Sequence, residues 1–82
     1  MRKRGEATAD GRQLEGQYAN WFKVGFNAYE YVIDFGQYYP ENDEEKLYIR
    51  IVTSPAYAKR FLNLLAKSIE QYKERYGIIP EQ

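Results

Sequence analysis

The clearest pattern in the chain is the alternation of apolar and polar residues between positions 29 and 35. Aromatic and aliphatic side chains occupy the odd positions, and two of the three even positions are acidic. A period of two sends successive side chains to opposite faces of a β-strand. Residues 28–37 are therefore predicted to form a strand. Two segments with a related pattern, 18–25 and 47–53, are predicted to be its neighbours.

Turn-forming residues separate the predicted strands. Gly25, Phe26 and Asn27 predict a tight turn after the first strand, because Gly and Asn tolerate the positive φ of hairpin turns. Residues 38–46 contain a proline and four acidic residues and are predicted to be a loop. Gly36, near the end of the second strand, predicts a bulge or a close backbone approach.

A long amphipathic helix is predicted to follow the last strand. Ser54 is a typical N-cap, Pro55 suits the first helical position, and Gly77 is expected to end the helix in the left-handed region. Residues 55–76 should therefore be helical. Apolar residues recur every three or four positions and define one surface, here called the helix stripe: Ala58, Phe61, Leu62, Leu65, Ile69, Tyr72 and Tyr76. We expect this stripe to cover the sheet, which would bury Leu65 and Ile69.

These elements predict an α+β fold, a three- to four-stranded antiparallel sheet followed by one long C-terminal helix. Residues 17–82 are expected to form a single domain. Residues 1–16 are polar, contain three glycines and lack periodicity, so we expect a disordered arm. A short fourth strand from residues 12–17 remains an alternative.

Composition adds a prediction about assembly. The chain has 82 residues, 17% of them aromatic, and no Cys. A chain this short has a marginal core, and without Cys it has no disulfide to stabilise it. Because Tyr and Trp favour surfaces that are buried on one side and wet on the other, we expect a homodimer.

Charge and hydropathy limit the partners. The formal net charge is zero, whereas proteins that bind duplex DNA usually carry a basic excess. No apolar run is long enough to span a membrane, and the polar N-terminus lacks the apolar core of a signal peptide. We therefore expect a cytoplasmic protein without membrane contact.

The residue types in this sequence do not support an enzymatic function. There is no His, so the commonest general base is absent and Ser54 has no partner that would activate it. Glu30 and Asp34 would lie about 13 Å apart along a strand, beyond the roughly 5–9.5 Å of a glycosidase carboxylate pair. The acidic segment 41–45 lacks the spacing of a calcium loop. We predict no catalytic residue, no cofactor, no metal and no small-molecule substrate.

Several short motifs together resemble a known family. They are Tyr-Ala-Asn at residues 18–20, Val-Gly-x-Asn at 24–27, Glu-Tyr-x-x-Asp-Phe at 30–35 and Ser-Pro-x-x-Ala-Lys at 54–59. This set, spread over about residues 17–79, is similar to an uncharacterised prokaryotic family, domain of unknown function number three-four-six-seven. The resemblance implies a small cytosolic protein of bacteria or archaea and brings no activity with it.

Two functions remain open. The first is a non-enzymatic binding or assembly module. The second is a single-stranded nucleic-acid-binding dimer, because strands followed by one helix resemble the topology of Whirly, PUR-repeat and positive-cofactor-four dimers. The residues predicted to contact a dimer partner or nucleic acid are Trp21, Lys23, Tyr48, Arg50, Tyr57 and Leu64.

Overall fold

A computed structural model describes residues 14–81 and confirms the α+β fold. Strand β1 (Trp21–Phe26), strand β2 (Tyr31–Tyr39) and strand β3 (Glu44–Thr53) form an antiparallel sheet in the order β1-β2-β3, and helix α1 (Pro55–Tyr76) follows. Residues 14–17 are not a strand, so the predicted fourth strand is wrong over the part that the structure describes. Residues 1–13 of the predicted arm lie outside the described residues.

The first hairpin turn lies later in the chain than predicted. Strand β1 continues to Phe26, and β2 begins only at Tyr31. Asn27 causes the shift, because its side-chain oxygen accepts hydrogen bonds of 2.8 Å from the backbone N–H groups of both Tyr29 and Glu30. Its own N–H donates to the Glu30 carbonyl oxygen at 3.0 Å. This side chain therefore takes two amides out of the strand ladder, which the alternating pattern alone did not reveal.

The second hairpin is tighter than predicted. The expected loop at 38–46 is reduced to a turn at residues 40–43, because both flanking strands are longer than their apolar segments. Gly36 makes the close backbone approach that was predicted. A Cβ atom at Gly36 would lie 1.9 Å from the Lys46 carbonyl oxygen, so only glycine fits here without moving β3 away from β2.

The helix has the predicted bounds, Pro55–Tyr76. The Ser54 hydroxyl accepts a hydrogen bond of 3.1 Å from the Tyr57 N–H, which satisfies one of the amides that a helix N-terminus leaves unpaired. Gly77 has the expected positive φ, at 98°, although its ψ of −175° is extended instead of left-handed helical. Its N–H still donates to the Lys73 carbonyl oxygen at 2.9 Å.

The chain divides into two compact units. Among the described residues, one comprises 14–25 and 32–52 and contains most of the sheet, and the other comprises 26–31 and 53–81 and contains α1. In the first unit the rings of Phe22 and Phe35 meet edge to face, with centroids 5.8 Å apart. In the second, Tyr72 and Tyr76 pack one helical turn apart with centroids at 5.0 Å.

No hydrophobic residue among residues 14–81 is buried. Leu65 and Ile69 are 45% and 40% exposed, and no residue of α1 is buried. The prediction that the helix stripe is buried is therefore wrong for the single chain. Periodicity shows that a stripe needs an apolar cover, but it does not show that the cover comes from the same chain.

Candidate functional site

The strongest polar interaction in the first unit joins Asp34 on β2 to Arg50 on β3. The Arg50 Nε and Nη2 atoms donate to the two carboxylate oxygens of Asp34 at 2.8 and 2.9 Å. Asp34 is only 5% exposed, whereas the Arg50 side chain is 66% exposed. The hydrogen bonds from Arg50 are the main reason that the pKa of Asp34 is lowered. Burial opposes them, and the charges of Arg50 and Lys23 lower the pKa further by smaller amounts. Asp34 thus forms a cross-strand ion pair with Arg50.

This pairing changes the role expected for Arg50. The guanidinium was predicted to contact a partner or nucleic acid, but two of its donors are already held by Asp34 in a bidentate arrangement. Such charge-assisted pairs are geometrically specific. The main contact of Arg50 is therefore within its own sheet.

Trp21 and Lys23 lie two residues apart on β1 and share one face of that strand. The Lys23 Nζ atom stands 5.8 Å from the centroid of the Trp21 ring, within the range of a cation–π contact. Lys23 also helps to lower the pKa of Asp34. These contacts place Trp21, Lys23, Asp34 and Arg50 on one side of the sheet, here called the charged face.

Tyr48 belongs to a group of tyrosines near the second hairpin that the sequence analysis missed. Its hydroxyl forms a short hydrogen bond with that of Tyr39, and the Tyr38 hydroxyl donates to Asp43 at 2.9 Å. The hydrogen bond with Tyr39 raises the pKa of Tyr48, and the hydrogen bond to Asp43 raises that of Tyr38.

Strict alternation along β2 and β3 does not account for the tyrosine pair. It groups Tyr39 with Phe35 and Tyr48 with Arg50, on opposite faces. The bond between the two hydroxyl groups shows that the sheet departs from this pattern near the second hairpin. The run Tyr38-Tyr39 was the available signal, but the adjacent proline and acidic residues led to its assignment as loop.

Asn20 holds the start of β1 in register with β2. Its N–H donates to the Gly36 carbonyl oxygen at 3.0 Å, and its side-chain oxygen accepts from the Tyr38 N–H at 2.8 Å. Asn20, Asn27 and Asp34 are polar residues of types that can either support a ligand or hold hairpins in place. Each of them binds backbone or a cross-strand partner, which supports the structural role.

The remaining predicted contact residues, Tyr57 and Leu64, are on α1 in the second unit. They are 61% and 64% exposed. The Arg60 guanidinium lies 5.6 Å from the centroid of the Tyr57 ring. Leu64 is an exposed apolar side chain on the same helix. The flank of the helix is thus accessible to a partner.

An apolar groove of about 360 Å³ lies on the sheet in the first unit. Phe35 also contacts Phe22, and we call the surface formed by Phe22, Phe35, Ile49 and Ile51 the phenylalanine face. The residues lining the groove are Glu15, Gln17, Tyr18, Ala19, Phe35, Tyr48, Ile49 and Ile51.

Two further properties concern only the described part of the chain. Among residues 14–81 no three acidic side chains come together as a cation site would require. The single helix of this part, α1, is not apolar enough over a sufficient length to cross a membrane.

The fold and these surfaces define a small α+β chain that presents an ion-paired sheet face and an apolar one. The chain belongs to the family described as "Protein of unknown function (DUF3467)", whose profile matches residues 3–81. This confirms the family indicated by the short motifs and extends the match into the polar arm. No curated protein and no solved structure matches the chain.

Proposed function

We propose that this chain is a non-enzymatic binding or assembly module of the cytoplasm whose working form is a homodimer. The observation that carries the proposal is the exposure of apolar side chains. Twenty-one large apolar residues between Leu14 and Ile79 are at least 37% exposed. Burial of apolar surface is the dominant favourable term in folding, so a chain with these surfaces uncovered lacks its main source of stability.

Sedimentation equilibrium at micromolar concentration tests the dimer directly. We expect a folded dimer whose urea midpoint rises with protein concentration, because folding and association of an obligate dimer are one equilibrium. Changing Leu65 to Ala should lower that midpoint, and changing Gln71, on the opposite side of the helix, to Ala should leave it nearly unchanged. A stable folded monomer at micromolar concentration would refute the proposal.

Single-stranded nucleic acid is the second candidate, and the contact between Lys23 and the Trp21 ring favours it. Single strands bind to cations and aromatic rings together, and stacking on a ring is worth about 1–3 kcal/mol per base. The Trp21 side chain is partly exposed. Against it stand the engagement of Arg50 by Asp34 and the zero net charge.

Titration with oligothymidine separates the two candidates. We expect no quenching of Trp21 fluorescence at physiological salt, and we expect Trp21→Ala to leave nucleic-acid binding unchanged. Submicromolar quenching that is reversed by added salt would favour the nucleic-acid function, because each neutralised phosphate releases a counterion. The Lys23→Gln variant would then show a reduced salt slope.

A further inference from the structure

Two apolar surfaces among residues 14–81 are exposed to solvent, and one suits the other as a packing partner. On the sheet, Phe22, Ile49 and Ile51 of the phenylalanine face are 56%, 40% and 46% exposed. On α1, every member of the helix stripe from Phe61 onward is at least 40% exposed. A helix stripe and a sheet face are the two surfaces that α+β proteins pack against each other.

The segments that carry the two surfaces have opposite net charge, although the whole chain is neutral. Residues 14–53 contain three basic and seven acidic residues, a net charge of −4. The helix segment Pro55–Tyr76 contains five basic and two acidic residues, a net charge of +3. Opposite fields of this kind favour docking of a helix on a sheet and oppose the pairing of two sheets or two helices of the same sign.

The connection between β3 and α1 decides which sheet the helix can cover. Only Ser54 separates Thr53, the last residue of β3, from Pro55, the first residue of α1. Ser54 is extended, with φ −83° and ψ 160°, as expected for a residue before proline. Compact domains usually use about two to six residues to turn a chain between a strand and a helix. A connection this short disfavours reversal onto the same chain's sheet and favours exchange of the element between two copies.

We infer that the homodimer is reciprocal, with the helix stripe of each protomer packed on the phenylalanine face of the other. Leu65 and Ile69, in the middle of the stripe, then fill the groove beside Phe35 and Ile49. This inference rests on the proposed dimer and adds which surfaces form it. A two-fold axis relates the two protomers, so the contact between the helix of the first and the sheet of the second is repeated between the helix of the second and the sheet of the first. The dimer is therefore closed.

The test uses the absence of Cys from the natural chain, which leaves engineered cysteines as the sole thiols. A chain carrying Ile49→Cys and Leu65→Cys is treated with a short bismaleimide. Undiluted, it should give a covalent dimer containing a crosslink between positions 49 and 65, identified by mass spectrometry. A chain carrying Ile49→Cys and Gln71→Cys is the matched control and should not give this product, because Gln71 lies on the other side of the helix.

Dilution then shows whether the crosslink joins two chains. The double-cysteine chain is unfolded together with a tenfold excess of the natural chain and refolded, so that most of it pairs with a cysteine-free partner. With exchanged helices the 49–65 crosslink should fall about tenfold. If the 49–65 crosslink survives dilution in a sample that sediments as a dimer, it joins two positions of one chain. That result would overturn the exchange of helices but would still support the dimer. Absence of the crosslink without dilution would overturn the exchange as well, and a folded monomer in sedimentation would overturn both proposals.

Discussion

Gly36 offers the sharpest test of the sheet, because the cost of a single methyl group there follows from the geometry. A Cβ atom at this position would lie 1.9 Å from the Lys46 carbonyl oxygen and 2.9 Å from the Leu47 Cα atom. An ordinary contact begins near 3.4 Å, so β3 would have to move by about 1.5 Å against strands that are normally about 4.8 Å apart. Backbone hydrogen bonds near 2.9 Å would then be stretched beyond 3.5 Å and lost.

The Gly36→Ala variant should therefore be destabilised by about 2–5 kcal/mol. This figure combines about two lost ladder bonds, at about 0.5–1 kcal/mol each, with about 1–3 kcal/mol of strain from overpacking. For a domain of this size, about 4–8 °C of melting temperature is lost per kcal/mol, so the midpoint should fall by at least about 8 °C. Thermal unfolding followed by circular dichroism measures it. The protein concentration must be held fixed, because the midpoint of a dimer depends on it.

Gly25 provides the matched control on the neighbouring strand. A Cβ atom at Gly25 would meet nothing within 4 Å, so Gly25→Ala should be neutral or stabilising by up to about 1 kcal/mol through the lower entropy of the unfolded chain. Equal losses in the two variants, or a Gly36→Ala protein that melts within a few degrees of the natural chain, would refute the close packing of β2 on β3.

Two smaller predictions concern the helix cap and the ion pair. Changing Ser54 to Ala should lower the free energy of unfolding in urea by about 1 kcal/mol, because the Tyr57 N–H loses its acceptor. The control Ser68→Ala, in the middle of the helix, should lower it by less. Equal losses in the two variants would contradict the role of Ser54 as the helix cap. Arg50 lowers the pKa of Asp34 below its ordinary 3.8, so this pair stabilises the fold above that pH and the stabilisation is lost as pH falls through the folded-state pKa. Urea midpoints measured from neutral to acid pH should show this loss in the natural chain, and Asp34→Asn should remove that part of the pH dependence.

The helix was predicted to the residue because all of its signals are local. Ser54, Pro55 and Gly77 act within one turn of the helix ends, and the spacing of the stripe needs no knowledge of the rest of the molecule. The pairing of Arg50 with Asp34 was also within reach, because it joins opposite charges on facing strands. These features depend on residues that are close in sequence or that face each other on adjacent strands, and the sequence pattern identifies both kinds.

The hairpins were predicted less well because side chains compete with the backbone there. Asn27 captures two amides that alternation assigns to β2. At the other end, Tyr38 and Tyr39 lie in the strand although proline and acidic residues follow them at once. Asp43 adopts a positive φ of 51°, which allows four residues to close the turn. Composition marks the presence of a turn, whereas its length is set by such specific contacts.

The two faces of the sheet differ in what they require from a partner, and this difference favours one of them as the dimer interface. On the charged face, Asp34 is neutralised by Arg50 within the chain, and Lys23 covers Trp21. Bringing a second copy onto this face would remove water from an ion pair that is already satisfied, and that desolvation is costly. The phenylalanine face offers rings and branched aliphatic side chains that gain free energy when they leave water. A partner that covers the phenylalanine face therefore stabilises the chain at less cost than one that covers the charged face. Helix α1 of a second copy carries the apolar helix stripe on a segment of net charge +3 and would face a segment of net charge −4, so it meets both the apolar and the electrostatic requirement.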